Sequence, residues 1–149
     1  MYIQAIDRVD EEIVQAFQRL IPQLTEVSPA PSKEDLERMA ASESTHIFLA
    51  RADASGPILG TATLATYQTP TGLHGWIEDV VVDRDARQQG MGRALTEACL
   101  DKARELGLRQ VNLTSRPGRA AANRLYQSMG FVLRETNLYI FTFGPSTQD

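Results

Sequence analysis

The amino-acid sequence predicts a single α/β (α+β) domain, residues 1–149, built on a mixed, mostly antiparallel sheet of about six to seven strands. Residues 76–82 form an apolar, β-branched run, which a glycine-containing turn links to a long amphipathic helix. Residues 53–57 have the composition of a hairpin turn, and residues 109–115 alternate apolar and polar side chains directly after the helix. We therefore expect a central parallel pair of strands and helices on both faces of the sheet.

The N-terminal part of the chain predicts one strand and two helices. Residues 2–6 are short and β-prone. Asp10 is suited to cap a helix, which Pro22 is expected to end or bend. After a loop that contains two prolines, Ser32 and Asp35 have the spacing of a capping box at the start of a second helix.

The next two strands are predicted at residues 45–51 and 58–67, on either side of the hairpin turn. This arrangement makes them an antiparallel pair. Residues 68–73 contain a proline and a glycine, so they predict another turn, which leads into the central strand at residues 76–82.

The turn after the central strand predicts an anion site. Gly90 and Gly92 stand at the start of a helix that runs to Leu106, with Arg87 and Arg93 on either side. A helix start presents unpaired N–H groups at the positive end of the helix dipole, and glycines let an anion approach the backbone. The spacing fits neither the P-loop nor the dinucleotide fingerprint. On the glycines alone, an ordinary strand-to-helix turn remains the alternative.

The C-terminal part predicts a further helix and the closing strands. Residues 109–115 form a strand, and residues 116–119 lead into a helix that Gly130 ends. Residues 131–133 and 138–143 are β-prone, and residues 144–149 form a polar tail. The inner face of the helix is predicted to carry Ala122, Leu125, Tyr126 and Met129.

Composition excludes several classes of protein. The net charge is −4, yet residues 84–124 carry nine basic against four acidic side chains, which suits a small polyanion better than nucleic acid. No signal peptide or membrane span is evident, so we expect a cytoplasmic protein that binds no membrane. Cys99 lies on the apolar face of the central helix and predicts a buried, inert thiol, and the two histidines have no metal-site spacing.

Two motifs resemble the GCN5-related N-acetyltransferase (GNAT) family. Arg87-x-x-Gly90-x-Gly92 after a β-branched strand resembles the family's [QR]-x-x-G-x-[GA] signature, and residues 121–131, AANRLYQSMGF, resemble its second motif. The resemblance implies the GNAT fold, with acetyl-CoA as co-substrate and its pyrophosphate bound by the backbone of the turn. The turn residues implied in cofactor binding are Arg87, Gln88, Gln89, Gly90, Met91, Gly92 and Arg93.

The central strand is implied to supply the catalytic groups. In the family a backbone N–H of this strand polarises the thioester carbonyl, which points to Val80, Val81 and Val82. Residues 75–82, GWIEDVVV, are similar to the GHIEDIVV of glucosamine-6-phosphate acetyltransferases, which favours Glu78 as the base, followed by Asp79. Strict alternation would place these two carboxylates on opposite faces of the strand. The alternatives are action through a water molecule, attraction of the ammonium group without proton transfer, or a buried acid paired with an arginine.

The second motif is implied to supply the acid. Tyr126 matches the family's tyrosine near the sulfur of CoA, and a phenol can protonate a departing thiolate. The alternative is that Tyr126 only packs. Asn123 is a candidate hydrogen-bond partner for pantetheine or for the tyrosine, although a common family variant has its asparagine where this chain has Arg119.

These expectations describe an acetyl-CoA-dependent N-acetyltransferase without a metal, which acetylates a primary amine of a small molecule or peptide by direct attack in a ternary complex. If the resemblance holds, Glu26 and Val27 in the loop between the first two helices are candidates for substrate contact. The alternative function is a non-catalytic module that binds acyl-CoA. The sequence supports no nucleic-acid partner and leaves a homodimer open.

Overall fold

The structure is a computed structural model that describes residues 1–144. The chain divides into two units, residues 1–114 and the remainder from Ser115. The predicted polar tail, residues 144–149, lies outside the described residues except for Gly144.

The first unit contains five strands and three α-helices. In chain order these are β1 (Tyr2–Ala5), α1 (Glu11–Leu24), α2 (Lys33–Ala40), β2 (Thr45–Arg51), β3 (Ile58–Thr69), β4 (Gly72–Val82), α3 (Met91–Glu105) and β5 (Val111–Asn112), with a short 3₁₀ helix at Arg84–Ala86 before α3. The strands lie in the order β1-β2-β3-β4-β5, antiparallel except for the final pair. The mixed sheet and its parallel pair are therefore confirmed.

Helices cover both faces of the sheet. Residues of α1 and α2 share one core cluster with Ile47, Leu49 and Val81. On the other face, a Cβ added at Gly60 of β3 would lie 3.1 Å from the Leu95 side chain, so α3 packs against β3 there. Leu95, Cys99 and Ala103 of α3 are all buried, as its apolar pattern predicts.

Local signals place the helix ends. The Asp10 carboxylate accepts a hydrogen bond from the Ile13 N–H at 3.0 Å, and Ser32 and Asp35 form both hydrogen bonds of a capping box. Helix α1 runs past Pro22 to Leu24, so this proline does not end it. Pro22 lies in the last turn, where its missing N–H removes only one helical hydrogen bond.

The predicted count of six to seven strands is wrong, because the described residues form five. The predicted strand at residues 109–115 shortens to Val111–Asn112, and residues 131–133 and 138–143 form no strand. An extended segment becomes a strand only when its backbone groups pair with a neighbour. The described chain has no such pairing for residues 131–144.

The second unit contains one helix, α4 (Ala120–Ser128). Gly130 has a φ of +93°, a value that favours glycine, and follows the end of this helix. The four residues predicted on its inner face are half-buried, and none of the described residues of this unit is fully buried.

Candidate functional site

The turn between β4 and α3 is held by Asp83. The Asp83 N–H donates to the Leu59 carbonyl at 2.7 Å, and its carboxylate accepts from the Asp85 N–H at 3.2 Å and from Arg19 Nε at 3.1 Å. Arg19 also donates to the Ile58 carbonyl. Asp83, the first residue after β4, is therefore held in place by hydrogen bonds to Leu59, Asp85 and Arg19.

The turn itself is exposed and shaped by two left-handed residues. Residues 87–90 are exposed, and φ is +62° at Gln88 and +81° at Gly90. Arg87 Nε donates to the Val82 carbonyl at 3.3 Å, so this guanidinium lies at the end of β4. The value at Gly90 favours glycine for reasons of backbone geometry alone.

The start of α3 is not capped by a side chain. Gly90 is the N-cap residue, and no acidic residue occurs in the first turn of the helix. The first-turn N–H groups of a 15-residue helix are thus available to an anion, and the helix dipole favours one there. Met91 is buried and anchors the helix, so only its backbone can contribute. Arg93 lies 3.7 Å from Glu97 in an ion pair and is also on the first turn.

A β-bulge interrupts β4 at the two candidate carboxylates. The strand advances three residues from Glu78 to Val81 while β3 advances two, from Thr63 to Thr61. Asp79, within this bulge, has a φ of +52°, which is rare for a residue other than glycine. Regular alternation therefore stops at Asp79, and the expectation that Glu78 and Asp79 lie on opposite faces of the strand stays a prediction.

Glu78 lies on the face of the sheet that carries α1 and α2. Cross-strand partners share a face, so Glu78 opposite Thr63 lies on the same face as Val81 opposite Thr61. Val81 belongs to the core formed with α1 and α2. The loop between these helices, with exposed Glu26 and Val27, starts and ends on the same face.

Glu78 is an unpaired carboxyl with a perturbed pKa. Its side chain is exposed at the residue level, and among the described residues it makes no ion pair and no hydrogen bond. Partial desolvation raises the pKa of Glu78, and the negative charge of Asp79 raises it further. The alternative of a buried acid paired with an arginine is found five residues later, at Asp83 and Arg19, and not at Glu78.

Strand β4 has a free edge beside the bulge. It pairs with β5 only at Gly75 and Trp76, opposite Val111 and Asn112. From Ile77 to Val82 the edge facing away from β3 has no strand partner in the part of the chain that the structure describes. Backbone groups of Val80–82 on this edge can therefore serve a ligand.

An aromatic cluster on the same strand pair was not predicted. Trp76 Nε1 donates to the Tyr67 hydroxyl at 3.3 Å, and the rings of Tyr67 and His74 stack with centroids 5.3 Å apart. Trp76 is two residues from Glu78 on the same face. The sequence predicted the two strands, but it did not give the register between them, and that register brings the three rings together.

In the second unit, Tyr126 and Asn123 make local contacts. The Tyr126 and Phe131 rings meet edge to face, with centroids 5.7 Å apart. Asn123 Nδ2 donates to the Arg116 carbonyl at 3.0 Å, so its amide holds the turn that precedes α4. The cofactor role of Asn123 stays a prediction.

Three further observations on the described residues concern the Cys99 thiol, metal ligands and membrane-spanning helices. Burial raises the pKa of the Cys99 thiol to about 12, which keeps it protonated, as expected for an inert thiol. Within residues 1–144 no group of three or more histidine, cysteine or acidic side chains could hold a metal ion. No helix of this part of the chain is long and apolar enough to cross a bilayer.

Comparison with known proteins identifies the family. The profile of the acetyltransferase (GNAT) family matches residues 11–131. The chain is 31% identical over 93 residues to an L-methionine sulfoximine/L-methionine sulfone acetyltransferase of Pseudomonas paraeruginosa, which covers 62% of this chain and 54% of that protein. It is 42% identical over 53 residues to the ribosomal protein bS18-alanine N-acetyltransferase of Escherichia coli, which covers 36% of each chain. The chain thus spans about half or less of these curated relatives.

Among solved structures, glucosamine-6-phosphate N-acetyltransferase from Arabidopsis thaliana superimposes with a TM-score of 0.75 at 21% identity. The superposition covers 95% of this chain and 99% of that one, so the two proteins share the fold. The profile match spans most of the chain and includes both motifs singled out in the sequence. The chain belongs to the acetyltransferase (GNAT) family.

Proposed function

We propose that this chain is an acetyl-CoA-dependent N-acetyltransferase that acetylates a primary amine of a small molecule or a peptide by direct attack in a ternary complex. The observation that carries the proposal is the N-terminus of α3, where the N-cap residue Gly90 has a left-handed backbone and no side chain caps the helix. Backbone N–H groups of Gln88, Gln89, Gly90, Met91 and Gly92 would hold the pyrophosphate, with Arg87 and Arg93 supplying positive charge.

The free edge of β4 supports the catalytic half of the proposal. A backbone N–H within Val80–82 would donate to the thioester oxygen, where negative charge develops as the amine attacks. Since β5 does not pair with this part of β4, donation of this N–H to the thioester breaks no hydrogen bond between β4 and β5. The bulge at Asp79 gives a physical reason for the break in regular pairing.

Glu78 would receive or attract the amine. Its raised pKa brings the carboxylate closer to the range of an effective base, and since no arginine of residues 1–144 pairs with it, it is available to an ammonium group. Asp79 adds negative charge to the same site. As the amine nitrogen bonds to the acetyl carbon, its proton passes to Glu78 or to a water molecule, and the C–S bond breaks.

Tyr126 would give its phenolic proton to the departing thiolate, with Asn123 nearby on α4. A non-catalytic acyl-CoA-binding module is the second candidate. The unpaired, perturbed Glu78 favours the enzyme, because a module that only binds acyl-CoA has no use for a base.

The relatives suggest two classes of acceptor. One is named for L-methionine sulfoximine and L-methionine sulfone, and the other for N-acetylation of an alanine of ribosomal protein bS18. Both carry an α-amine, so this chain's acceptor is proposed to be a primary amine of either class. We propose no nucleic-acid or membrane partner and a cytoplasmic location.

The proposal is tested by measuring free thiol released from acetyl-CoA in the presence of single amines. The panel contains free amino acids, a peptide with a free N-terminal alanine, an amino sugar, a polyamine and an aminoglycoside. We expect at least one amine to accelerate thiol release over the amine-free control. Tight acetyl-CoA binding with no acceleration by any class would instead identify the binding module.

A further inference from the structure

Three aromatic rings near the β3–β4 hairpin form a fixed group within the first unit. The Trp76 indole N–H donates to the Tyr67 hydroxyl at 3.3 Å, and the Tyr67 ring stacks on His74 with an interplanar angle of 20°. His74 Nε2 lies 2.8 Å from Thr69 Oγ1 and 3.1 Å from Thr71 Oγ1, within hydrogen-bond distance of both. Each ring of this aromatic cluster is held by a neighbour, so a ligand meets a preorganised surface.

The aromatic cluster is not part of the hydrophobic core. Tyr67 is 47% exposed, and Trp76 and His74 are half-buried, whereas Ile77, which points to the opposite face of β4, is only 3% exposed. Helices α1 and α2 cover other parts of this face but leave Tyr67 accessible. Tryptophan and tyrosine rings that are fixed and yet accessible supply large contact areas to ligands.

Small side chains of β3 lie beside the indole and the candidate base. Ala65 is the cross-strand partner of Trp76, and Thr63 is the partner of Glu78, so these four side chains share one face of the sheet. Both β3 partners are small, so this strand does not fill the space above that part of the sheet. A ligand can therefore reach the rings and the Glu78 carboxylate from the same side.

Glu78 places a negative charge beside the aromatic cluster. It follows Trp76 by two residues on the same face, which is about 7 Å along a strand. Asp79, the next residue, adds a second negative charge to this end of the surface. A ligand that uses both features has an ammonium group at one end and, at the other, a group that packs on an aromatic ring.

The chemistry of the rings favours an aromatic group over a sugar or a second cation. The indole N–H is engaged with Tyr67, so the indole offers its face and no free polar atom to the hydroxyl groups of a sugar. A second ammonium group would lose hydration over the rings and would find opposite charge at Glu78 and Asp79 instead. An aromatic group loses no hydrogen bond there and gains both burial and ring packing.

We propose that the aromatic cluster binds the substituent of the acceptor, and that the acceptor is an amine with an aromatic ring on a short linker, such as an arylethylamine. This inference rests on the proposed function, because there Glu78 receives or attracts the amine. With the ammonium group at Glu78, the ring of an arylethylamine reaches the indole of Trp76 two residues away on the same face. Trp76 and Tyr67 are thus specificity-determining residues.

Binding is tested first without any use of activity, on the wild-type chain with CoA present so that no acetyl group can be transferred. Trp76 is the only tryptophan of the chain, so tryptophan fluorescence reports directly on this surface. Phenethylamine should bind at least about tenfold tighter than propylamine, glucosamine or spermidine in calorimetric titrations, and the Trp76 emission should change with the same Kd. Equal affinities, tighter binding of spermidine, or an unchanged emission at saturation would overturn the proposal.

Substitution of Trp76 tests the same surface by kinetics. Trp76→Ala should raise KM for phenethylamine at least about tenfold while kcat and the KM for propylamine stay within a few-fold, because only the ring contact is lost. Trp76→Phe keeps a ring and should restore most of the loss. Tyr2→Ala is the control, since it removes a ring that is 42% exposed on β1, at the other edge of the sheet. Wild-type KM values for both amines in folded Trp76→Ala would contradict the proposal. If Trp76→Ala does not fold, the binding series still decides.

The inference and the proposed function fail in different ways. Thiol release that depends on an amine but shows no preference for an aromatic substituent would overturn the inference and leave the acetyltransferase in place. Absence of thiol release with every amine would remove the proposed function. The calorimetric and fluorescence titrations would then still decide whether the rings hold an arylethylamine, because neither measurement uses the reaction.

Discussion

At the scale of single residues, two carboxylates at one end of β4 have opposite pKa shifts. Partial desolvation and the charge of Asp79 raise the pKa of Glu78. Burial would raise the pKa of Asp83 as well, but hydrogen bonds from the Asp85 N–H and Arg19 outweigh burial and lower it. Environments that separate the pKa values of neighbouring acids assign different roles to them. Asp83 is the structural anchor, and Glu78 is the candidate base.

The raised pKa of Glu78 predicts how activity responds to pH. The base must be ionised, so turnover should rise with pH through the raised pKa of Glu78. Asp79→Asn removes the nearby negative charge, which lets Glu78 ionise at lower pH. The acid limb of the kcat profile should therefore move to lower pH in this variant. The control Asp101→Asn, an exposed change on α3, should leave the limb in place, and an unmoved limb in Asp79→Asn would remove Glu78 from the base role.

Tyr126 tests whether the chain is an enzyme or a binding module. Tyr126→Phe keeps the ring and its edge contact with Phe131, and removes only the hydroxyl. If the phenol is the acid, the single-turnover rate should fall by about 10²-fold, while the Kd for acetyl-CoA stays within a few-fold. Rapid-quench measurement with an identified amine separates this step from product release. A wild-type single-turnover rate would leave Tyr126 with a packing role.

At the scale of elements, the turn between β4 and α3 depends on one anchor. Asp83→Ala removes a side chain that accepts hydrogen bonds from the Asp85 N–H and from Arg19, so it should lower the free energy of unfolding by about 1–2 kcal/mol in urea titrations. Asp101→Ala is the control and should cost at most about 0.5 kcal/mol, because Asp101 forms an exposed ion pair with Arg104.

The same anchor has a defined pH dependence. The pKa of Asp83 is lowered on folding, so its contribution is present above the pKa of the unfolded chain and is lost as pH falls through the lower folded value. The difference in unfolding free energy between wild type and Asp83→Ala should thus shrink in acid. A difference that grows as pH falls would contradict this role.

At the scale of the whole molecule, the sequence predicted what local signals control. Caps at Asp10 and Ser32, the apolar stripe of α3 and the hairpin turn placed most elements, and the rule for strand–helix–strand connections gave the parallel pair. These features depend on residues close together in the chain. The turn at Gly90 was found because a glycine pattern and a helix start coincide there.

The features that the sequence missed depend on distant residues. The bulge at Asp79 arises from the register between β3 and β4, and the pair between Arg19 and Asp83 joins residues 64 positions apart. The two closing strands were predicted from β propensity, but a strand also needs a partner edge, which propensity does not supply.

The most direct test of the central claim is calorimetric titration of acetyl-CoA into the wild type and Gly92→Val. A valine side chain on the first turn of α3 should block approach of the pyrophosphate, so affinity should fall at least about tenfold, or ~1.4 kcal/mol, in a folded variant. Gly92 is preferred to Gly90, whose left-handed φ would strain any other residue. Gly56→Val in the β2–β3 hairpin is the control and should bind as the wild type does. Unchanged affinity in folded Gly92→Val would contradict the account of this turn as the cofactor site.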